Sequence, residues 1–189
     1  KVELDPAGLE QELGYRSRAR MRFEGVLGYR ASGSRRVIPI ERCAVQSEAI
    51  ATAATKLGVA LRRAARSSRP GMDVHLGLGE RGVVVELRSD APLAPALYAA
   101  VEGLVLDGTL QGAGILAGGA TSHAIFGDPA EAAVSLAGEA LRVPLGGFSQ
   151  ANPEVNRALV ATAVSWAEAG DQDTLELYSG SGNLSVALA

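Results

Sequence analysis

The sequence predicts an α/β protein, with an α+β domain over residues 1–145 followed by the first elements of a doubly wound α/β domain over residues 146–189. Three observations support this prediction. Side chains near the N-terminus alternate with period two, which indicates a β-strand. Two later segments carry apolar residues at helical spacing. After residue 148 the predicted order is helix, strand, glycine-rich turn and helix, which is how a doubly wound sheet begins.

The first predicted strand covers residues 14–23, where arginines alternate with small, apolar or aromatic side chains. Such a strand covers a core with one face and presents cations on the other. Short strands at 25–29 and 37–40, joined through a turn at 31–34, complete a small antiparallel sheet. The cationic positions of the first strand are Arg16, Arg18, Arg20 and Arg22.

Two helices are predicted in the rest of the first domain. Residues 47–66 have apolar side chains spaced three and four apart, and residues 92–106 begin with prolines that suit a first helical turn. Strands are predicted at 73–78 and 82–88, which form a hairpin, and near 122–126 and 139–144.

The second predicted domain is short. A helix at 153–169 is followed by a strand at 174–178, a glycine-rich turn at 179–183 and the beginning of a second helix at 184–189. One strand and parts of two helices do not complete a parallel sheet. We therefore expect the natural polypeptide to continue beyond Ala189.

The composition, with 47% hydrophobic and 21% charged residues, is typical of soluble globular proteins. No apolar run approaches the roughly 20 residues that cross a bilayer, and the N-terminus has no secretory leader pattern. The single cysteine, Cys43, excludes an internal disulfide and fits a reducing compartment. We expect a cytoplasmic monomer without a membrane span.

The net charge of −3 conceals an asymmetry along the chain. Residues 1–70 contain 14 Lys and Arg against 7 Asp and Glu, whereas the other 119 residues contain 4 against 14. The first part is therefore +7 and the second −10. A basic segment within an acidic protein indicates either a polyanion site or a solvated, salt-bridged surface.

The segment ELYSGSGN at 176–183 is the sharpest chemical feature of the sequence. Glycines where a strand turns into a helix let a nucleotide-type ligand approach the backbone closely. The spacing lacks both the third glycine of a dinucleotide site and the Gly-Lys-Ser/Thr of a phosphate loop. A short acidic turn of this kind is typical of methyltransferases, although many such turns bind nothing. His75 and His123 stand outside any metal-ligand or catalytic-triad pattern, so we interpret both as structural.

Four segments together resemble one family. The stretch ELYSGSGNLSVALA is very similar to a motif of tRNA and rRNA uracil-C5 methyltransferases, approximately (D/E)-L-(F/Y)-C-G-x-G-N-F-(S/T). GFSQAN at 147–152, with Asn156, resembles that family's F-x-Q-x-N…N segment. YRSRAR at 15–20 and LGYR at 27–30 resemble its Y-R-x-R-A-R strand and the G-(F/Y)-R that follows. The motifs occur in the family's order over nearly the whole chain.

This resemblance implies a Rossmann-like class I methyltransferase domain that uses S-adenosylmethionine to form 5-methyluridine in rRNA or tRNA. By position in the matching motifs, Gln150, Tyr178 and Asn183 would contact S-adenosylmethionine, and Gly180 and Gly182 would shape the turn.

Phe148, in the same matching segment, would lie beside the cofactor and the target uridine. The alternatives are that Phe148 and Tyr178 are core aromatics and that Gln150 stabilises a loop. Ser179 and Leu184 depart from the family, which commonly has cysteine and an aromatic residue there. Neither position supplies the nucleophile, so these departures change local packing rather than the chemistry.

The family's chemistry implies residues beyond this chain. A cysteine attacks C6 of uridine, C5 then accepts the methyl group, and a base removes the C5 proton before the thiol is eliminated. We expect both the nucleophilic cysteine and the base beyond Ala189, and we expect the isolated chain to be inactive. The competing hypotheses are a non-catalytic RNA-binding module and a class I methyltransferase with a non-RNA substrate.

The strand arginines Arg16, Arg18, Arg20 and Arg22 are the best candidates for contacts with RNA phosphates, because guanidinium groups form charge-assisted bonds with them. Arg30, Arg35 and Arg36 belong to the same candidate surface, and about half of these seven arginines are expected to pair with acidic neighbours instead. Cys43 matches the position of the fourth ligand of a [4Fe–4S] centre in cluster-bearing members of the family. The chain has no other cysteine, so within it we favour a small buried apolar role for Cys43.

Overall fold

The computed structural model describes residues 12–66, 70–136, 138–167 and 173–189. The predicted strand of residues 14–23 and most other predicted elements are present, with shifted ends. In chain order the described elements are β1 (Arg18–Phe23), β2 (Leu27–Arg30), β3 (Val37–Pro39), α1 (Glu48–Ala65), β4 (Met72–Leu78), β5 (Val83–Ser89), α2 (Pro95–Leu106), β6 (Gly112–Ala117), β7 (Ala124–Gly127), β8 (Glu131–Val134), β9 (Ala140–Val143), α3 (Pro153–Ala167) and α4 (Ser185–Leu188).

Seven strands form one mixed sheet in the order β3-β2-β1-β4-β5-β6-β7. All neighbours are antiparallel except β5 and β6, which are parallel and are joined through α2. A parallel pair needs such a crossover connection, usually a helix. Strands β8 and β9 form a separate antiparallel hairpin. The predicted α/β class is confirmed.

Helices α1 and α2 cover one face of the sheet. The alternation predicted for β1 is confirmed, because Ala19, Met21 and Phe23 are buried on this face. Strands β4 and β5 contribute apolar side chains to the same core. The largest fully buried side chains are Phe23, Ile50, Leu57, Leu61, Met72, Leu76, Leu87, Leu97, Leu110 and Ile115.

The helix starts follow from local chemistry. Ser47 caps α1, since its hydroxyl oxygen accepts a hydrogen bond from the backbone N–H of Ile50 at 3.4 Å. Helix α2 begins at Pro95 instead of the predicted residue 92. The residue before a proline avoids the helical region, and Ala94 is accordingly extended, with φ −65° and ψ 144°.

The opposite face of the sheet is polar and contains glycines that let other segments approach. A Cβ on Gly77 would collide with the carboxylate of Glu131, and a Cβ on Gly112 would collide with the backbone of Asp128. The hairpin β8–β9 and the loop after it therefore lie directly against this face. This packing positions the segment that carries the predicted cofactor residues.

Two strands of the structure were not predicted, and one predicted strand is absent. Strands β6 and β8 were not predicted; the two glycines of β6 obscure a strand whose first four residues are buried. The strand predicted at 174–178 is wrong, because residues 174–178 are irregular. A strand needs a hydrogen-bonded neighbour, and no described residue provides one, so Leu175 and Leu177 remain 83% and 73% exposed.

The helix predicted at 153–169 is described as far as Ala167, and residues 168 and 169 lie outside the described ranges. Among the described residues, no helix combines the length and the apolar character needed to cross a bilayer.

Candidate cofactor and RNA site

The segment Gly147–Ala151 is tied to the beginning of β1. The guanidinium of Arg18 donates to the backbone oxygens of Gly147 at 2.8 Å and Ser149 at 3.0 Å. Ser17 donates to the backbone oxygen of Ala151 twice, from its N–H at 2.8 Å and from its hydroxyl at 3.0 Å. Every second residue of the segment is therefore anchored to the sheet.

The side chains between these anchors face solvent. Phe148 is 68% exposed, and Gln150 is also exposed. Tyr178 is fully exposed as well. Within this chain, therefore, neither Phe148 nor Tyr178 belongs to the core. Both Phe148 and Gln150 are therefore accessible from outside this chain.

Arg18 also binds Glu131 at the start of β8. Its Nη2 donates to one carboxylate oxygen at 2.9 Å, and its Nε lies 2.8 Å from the other. Ser149 donates its hydroxyl to the same carboxylate at 3.2 Å. Burial raises the pKa of Glu131 above its ordinary value, and the Arg18 guanidinium opposes that rise. These groups form a half-buried network between β1, β8 and the segment Gly147–Ala151.

Two of the four strand arginines form ion pairs, and the other two do not. Arg18 forms an ion pair with Glu131 in the network described above. Arg22 forms ion pairs with Glu24 at 2.9 Å and with Asp73 at 3.0 Å. Arg16 and Arg20 are exposed, and neither forms an ion pair within the described residues. Arg30 also lies 3.8 Å from Asp73, so three of the seven arginines form ion pairs among the described residues, in line with the expectation of about half.

Helix α3 connects the anchored segment to the glycine-rich turn. Asn152 caps it, because its side-chain oxygen accepts from the N–H groups of Glu154 at 3.0 Å and Val155 at 3.1 Å. One turn later, Asn156 and Asn183 exchange two amide hydrogen bonds, at 3.0 and 2.9 Å. The turn is thereby fixed to the first part of α3.

The glycine-rich turn has an open outer surface. Gly180 and Gly182 have positive φ values of 58° and 84°, as the sequence pattern requires. Tyr178 shares this left-handed conformation, with φ 61°, which is uncommon for a residue with a side chain. A Cβ on Gly180 would meet nothing closer than the Tyr178 oxygen at 3.9 Å. A ligand therefore has free access to the backbone of the turn.

A buried carboxylate on the polar face of the sheet escaped the sequence analysis. Glu86 in β5 is 4% exposed, and one of its oxygens lies 2.7 Å from Nε2 of His123 and 2.8 Å from Nη2 of Arg88. Nδ1 of His75 lies 3.3 Å from the other oxygen, which makes no hydrogen bond among the described groups. Burial acts to raise the pKa of Glu86, but its partners outweigh burial and lower that pKa to about 2.

The structural interpretation of His75 and His123 agrees with these contacts. The register brings them to Glu86: His75 lies opposite Glu86 across β4 and β5, and His123 directly precedes β7. A carboxylate within the apolar run of β5 was the available sequence signal. Its partners come from other strands, so the pairing needed the sheet register.

Cys43 is half-buried and lines a cavity of about 310 Å³ between the β2–β3 hairpin and α1. Gln46, Arg42 and Arg62 also line it, and Gln46 donates to the Tyr29 hydroxyl at 2.7 Å. Over the parts of the chain that the structure describes, no group of three or more His, Cys, Asp or Glu side chains could hold a metal ion. The proposed cluster ligation therefore remains a prediction.

The structure is an α/β fold with an open glycine-rich turn, and comparisons with known proteins show which proteins it resembles. The family model for tRNA (uracil-5-)-methyltransferase matches residues 133–189. The 23S rRNA (uracil(1939)-C(5))-methyltransferase RlmD of Shewanella amazonensis is 32% identical over 191 residues, which cover 93% of this chain and 41% of that protein. RlmD of Alkalilimnicola ehrlichii is 34% identical over 188 residues, covering 93% and 42%.

A solved structure shows the same fold. The crystal structure of Pyrococcus abyssi tRNA (uracil-54, C5)-methyltransferase in complex with S-adenosyl-L-homocysteine aligns with a TM-score of 0.70 at 15% identity. The alignment covers 95% of this chain and 47% of that one. In sequence and in fold, this chain is similar to members of the RNA uridine-C5 methyltransferase family. It spans about two fifths of the length of the curated relatives that it matches.

Proposed function

We propose that the protein containing this chain is an S-adenosylmethionine-dependent RNA methyltransferase that forms 5-methyluridine in rRNA or tRNA. The observation that carries the proposal is the joint placement of two family segments: α3 links the exposed pair Phe148 and Gln150 to the open glycine-rich turn. A ligand bound at the turn would therefore lie near a side-chain amide and an exposed aromatic ring.

The residues present fit S-adenosylmethionine. The open backbone at Gly180 and Gly182 accepts close approach of a nucleoside, and Gln150 and Tyr178 offer exposed polar groups. Asn183 is held by Asn156, so its role includes fixing the turn as well as any contact with the ligand. When bound, the cofactor supplies the methyl group.

Phe148 is proposed to lie against the target base, since aromatic rings stack on unpaired bases in RNA-binding proteins. Enzymes that modify a base take it out of the stack to reach its atoms. The exposed ring of Phe148, held by anchored neighbours on both sides, is suited to receive such a base. The nucleophilic cysteine and the base are proposed to lie beyond Ala189, so the isolated 189-residue chain is expected to be inactive.

Residues 1–145 and 146–189 are proposed as the two domains of this part of the protein, and the whole protein as a cytoplasmic monomer. A [4Fe–4S] centre takes four thiolates. This chain has one cysteine and cannot hold such a centre by itself. Ligation by Cys43 would require three further cysteines from elsewhere in the protein.

Cofactor binding tests the proposal directly. We expect Gln150→Ala to weaken S-adenosylmethionine binding by the complete protein about tenfold, because about 1.4 kcal/mol is the value of one good polar contact. Titration calorimetry measures this change, and Thr52→Ala, on the exposed surface of α1, is the control. Failure of the unchanged protein to bind the cofactor, with RNA binding retained, would favour the non-catalytic RNA-binding alternative.

RNA binding should depend on the two unpaired arginines of the first strand. Replacing Arg16 and Arg20 together by glutamine should reduce the slope of log affinity against log salt by about 1.5, since each lost phosphate contact removes roughly 0.7 to 0.9. Arg142→Gln, which removes an arginine paired with Asp128, is the control for the loss of one positive charge elsewhere on the surface. An unchanged slope in the double variant would exclude these arginines from the RNA surface. A methyltransferase that binds cofactor but no RNA would point to a different substrate.

A further inference from the structure

We propose that Arg18 and Glu131 are positioning residues for the cofactor and uridine pocket, and that Arg18 does not contact RNA phosphate. The proposal rests on the proposed function, because it assigns a purpose to the segment that carries Phe148 and Gln150. It changes the role that the arginine-rich strand suggested for Arg18.

Partners within this chain occupy most of the hydrogen-bond donors of the Arg18 guanidinium. Three hydrogen bonds reach the carboxylate of Glu131 and the backbone oxygens of Gly147 and Ser149, and Nε makes a further close contact with the same carboxylate. The side chain is 15% exposed. A guanidinium has five N–H donors in a fixed plane. With its donors directed at these partners, Arg18 has little left to offer a phosphate.

Hydrogen bonds to alternate backbone oxygens fix the segment Gly147–Ala151. The oxygens of Gly147, Ser149 and Ala151 all accept hydrogen bonds from Arg18 or Ser17. Because extended side chains alternate in direction, fixing these oxygens directs Phe148 and Gln150 to the solvent side. Loss of the anchors would leave both side chains on an untied loop.

Gly77 leaves the space that the Glu131 carboxylate occupies beside Arg18. Arg18 and Gly77 are direct partners across β1 and β4. A Cβ on Gly77 would collide with the Glu131 carboxylate. The absence of a side chain at Gly77 therefore provides the space in which the carboxylate lies beside Arg18. An alanine at this position would displace Glu131 while leaving both charges in the protein.

The test compares three variants of the complete protein: Glu131→Gln, Gly77→Ala and Arg18→Lys. Lysine cannot reproduce the planar, multidentate binding of arginine. We expect each variant to lower kcat about tenfold to a hundredfold and to raise the KM for S-adenosylmethionine, since displacement of reacting groups by about 1 Å can cost a hundredfold. The salt slope of RNA affinity should stay unchanged in all three.

Arg142→Gln is the matched control, because it breaks an exposed ion pair between β9 of the same hairpin and Asp128. It should leave kcat and KM unchanged. Ser149→Ala removes a single hydrogen bond to Glu131 and gives a milder variant if the others do not fold; it should raise the KM in the same direction. Thermal melting separates a loss of folding from a loss of positioning.

Cofactor binding separates the proposed function from the positioning role. If the unchanged protein does not bind S-adenosylmethionine, the proposed function is wrong. If it binds the cofactor with the same affinity as folded Glu131→Gln and Gly77→Ala, the positioning role is wrong. A decrease of about 1 in the salt slope of Arg18→Gln, with unchanged cofactor affinity, would show instead that Arg18 contacts a phosphate.

Discussion

Replacing Glu86 by alanine is expected to lower the free energy of unfolding by about 3 kcal/mol at pH 7. The lowered pKa of Glu86 shows that its partners stabilise the ionised carboxylate in the folded protein, and removing one member of a buried charged cluster costs about this much. Removal of the carboxylate would leave His75, Arg88 and His123 without their common partner on the polar face. For a protein of this length, the melting temperature should fall by roughly 6–12 °C.

The effect of Glu86 should depend on pH in a defined direction. A carboxyl whose pKa is lower in the folded state stabilises the protein above its unfolded pKa, and that stabilisation is lost as the pH falls toward the folded pKa. For Glu86 the window therefore lies between about pH 4.5 and pH 2. The difference between the unchanged protein and Glu86→Ala should shrink by about half from pH 5 to pH 3.

Urea unfolding followed at pH 7, 5 and 3 measures both effects. Glu80→Ala is the control, because Glu80 is exposed in the turn between β4 and β5, six residues before Glu86, and forms no ion pair among the described residues. A loss below about 1 kcal/mol at pH 7, or a loss that is constant from pH 7 to pH 3, would show that the Glu86 cluster does not stabilise the fold.

The sequence predicted those parts of the fold whose signals are local. The period-two pattern of β1 and the helical spacing of α1 identified the elements and their buried faces, because binary patterning reflects burial directly. Strand β6 was not predicted, since its glycines at 112 and 114 are typical of turns. In the structure these glycines let residues of the loops at 128 and 145 lie against the sheet. Their purpose depends on tertiary contacts that no local pattern reveals.

The candidate site shows the same division. Family motifs named the residues of the turn and of the segment Gly147–Ala151, and their exposure fits a ligand site. The motifs could not show that Arg18 is used internally, because Glu131 lies 113 residues away in the chain. They also could not show that Asn183 already has a partner. Both facts depend on side-chain pairing between distant elements.

The pairing of Asn156 with Asn183 leads to the last prediction. We expect Asn156→Ala and Asn183→Ala each to weaken S-adenosylmethionine binding by about tenfold, because either change leaves one amide unpaired and frees the turn from α3. The double variant should bind about as well as either single variant, since both remove the same link. Calorimetric titration of the four proteins gives the coupling between the two sites.

Additivity is the result that would contradict this role. If the two losses add, Asn183 contacts the cofactor independently of Asn156, as its position in the family motif suggests. If they do not add, Asn183 acts chiefly by holding the turn on α3, and the cofactor contacts fall to Gln150, Tyr178 and the turn backbone. Thr162→Ala, on the exposed part of α3 with a hydrogen bond confined to its own helix, should leave binding unchanged.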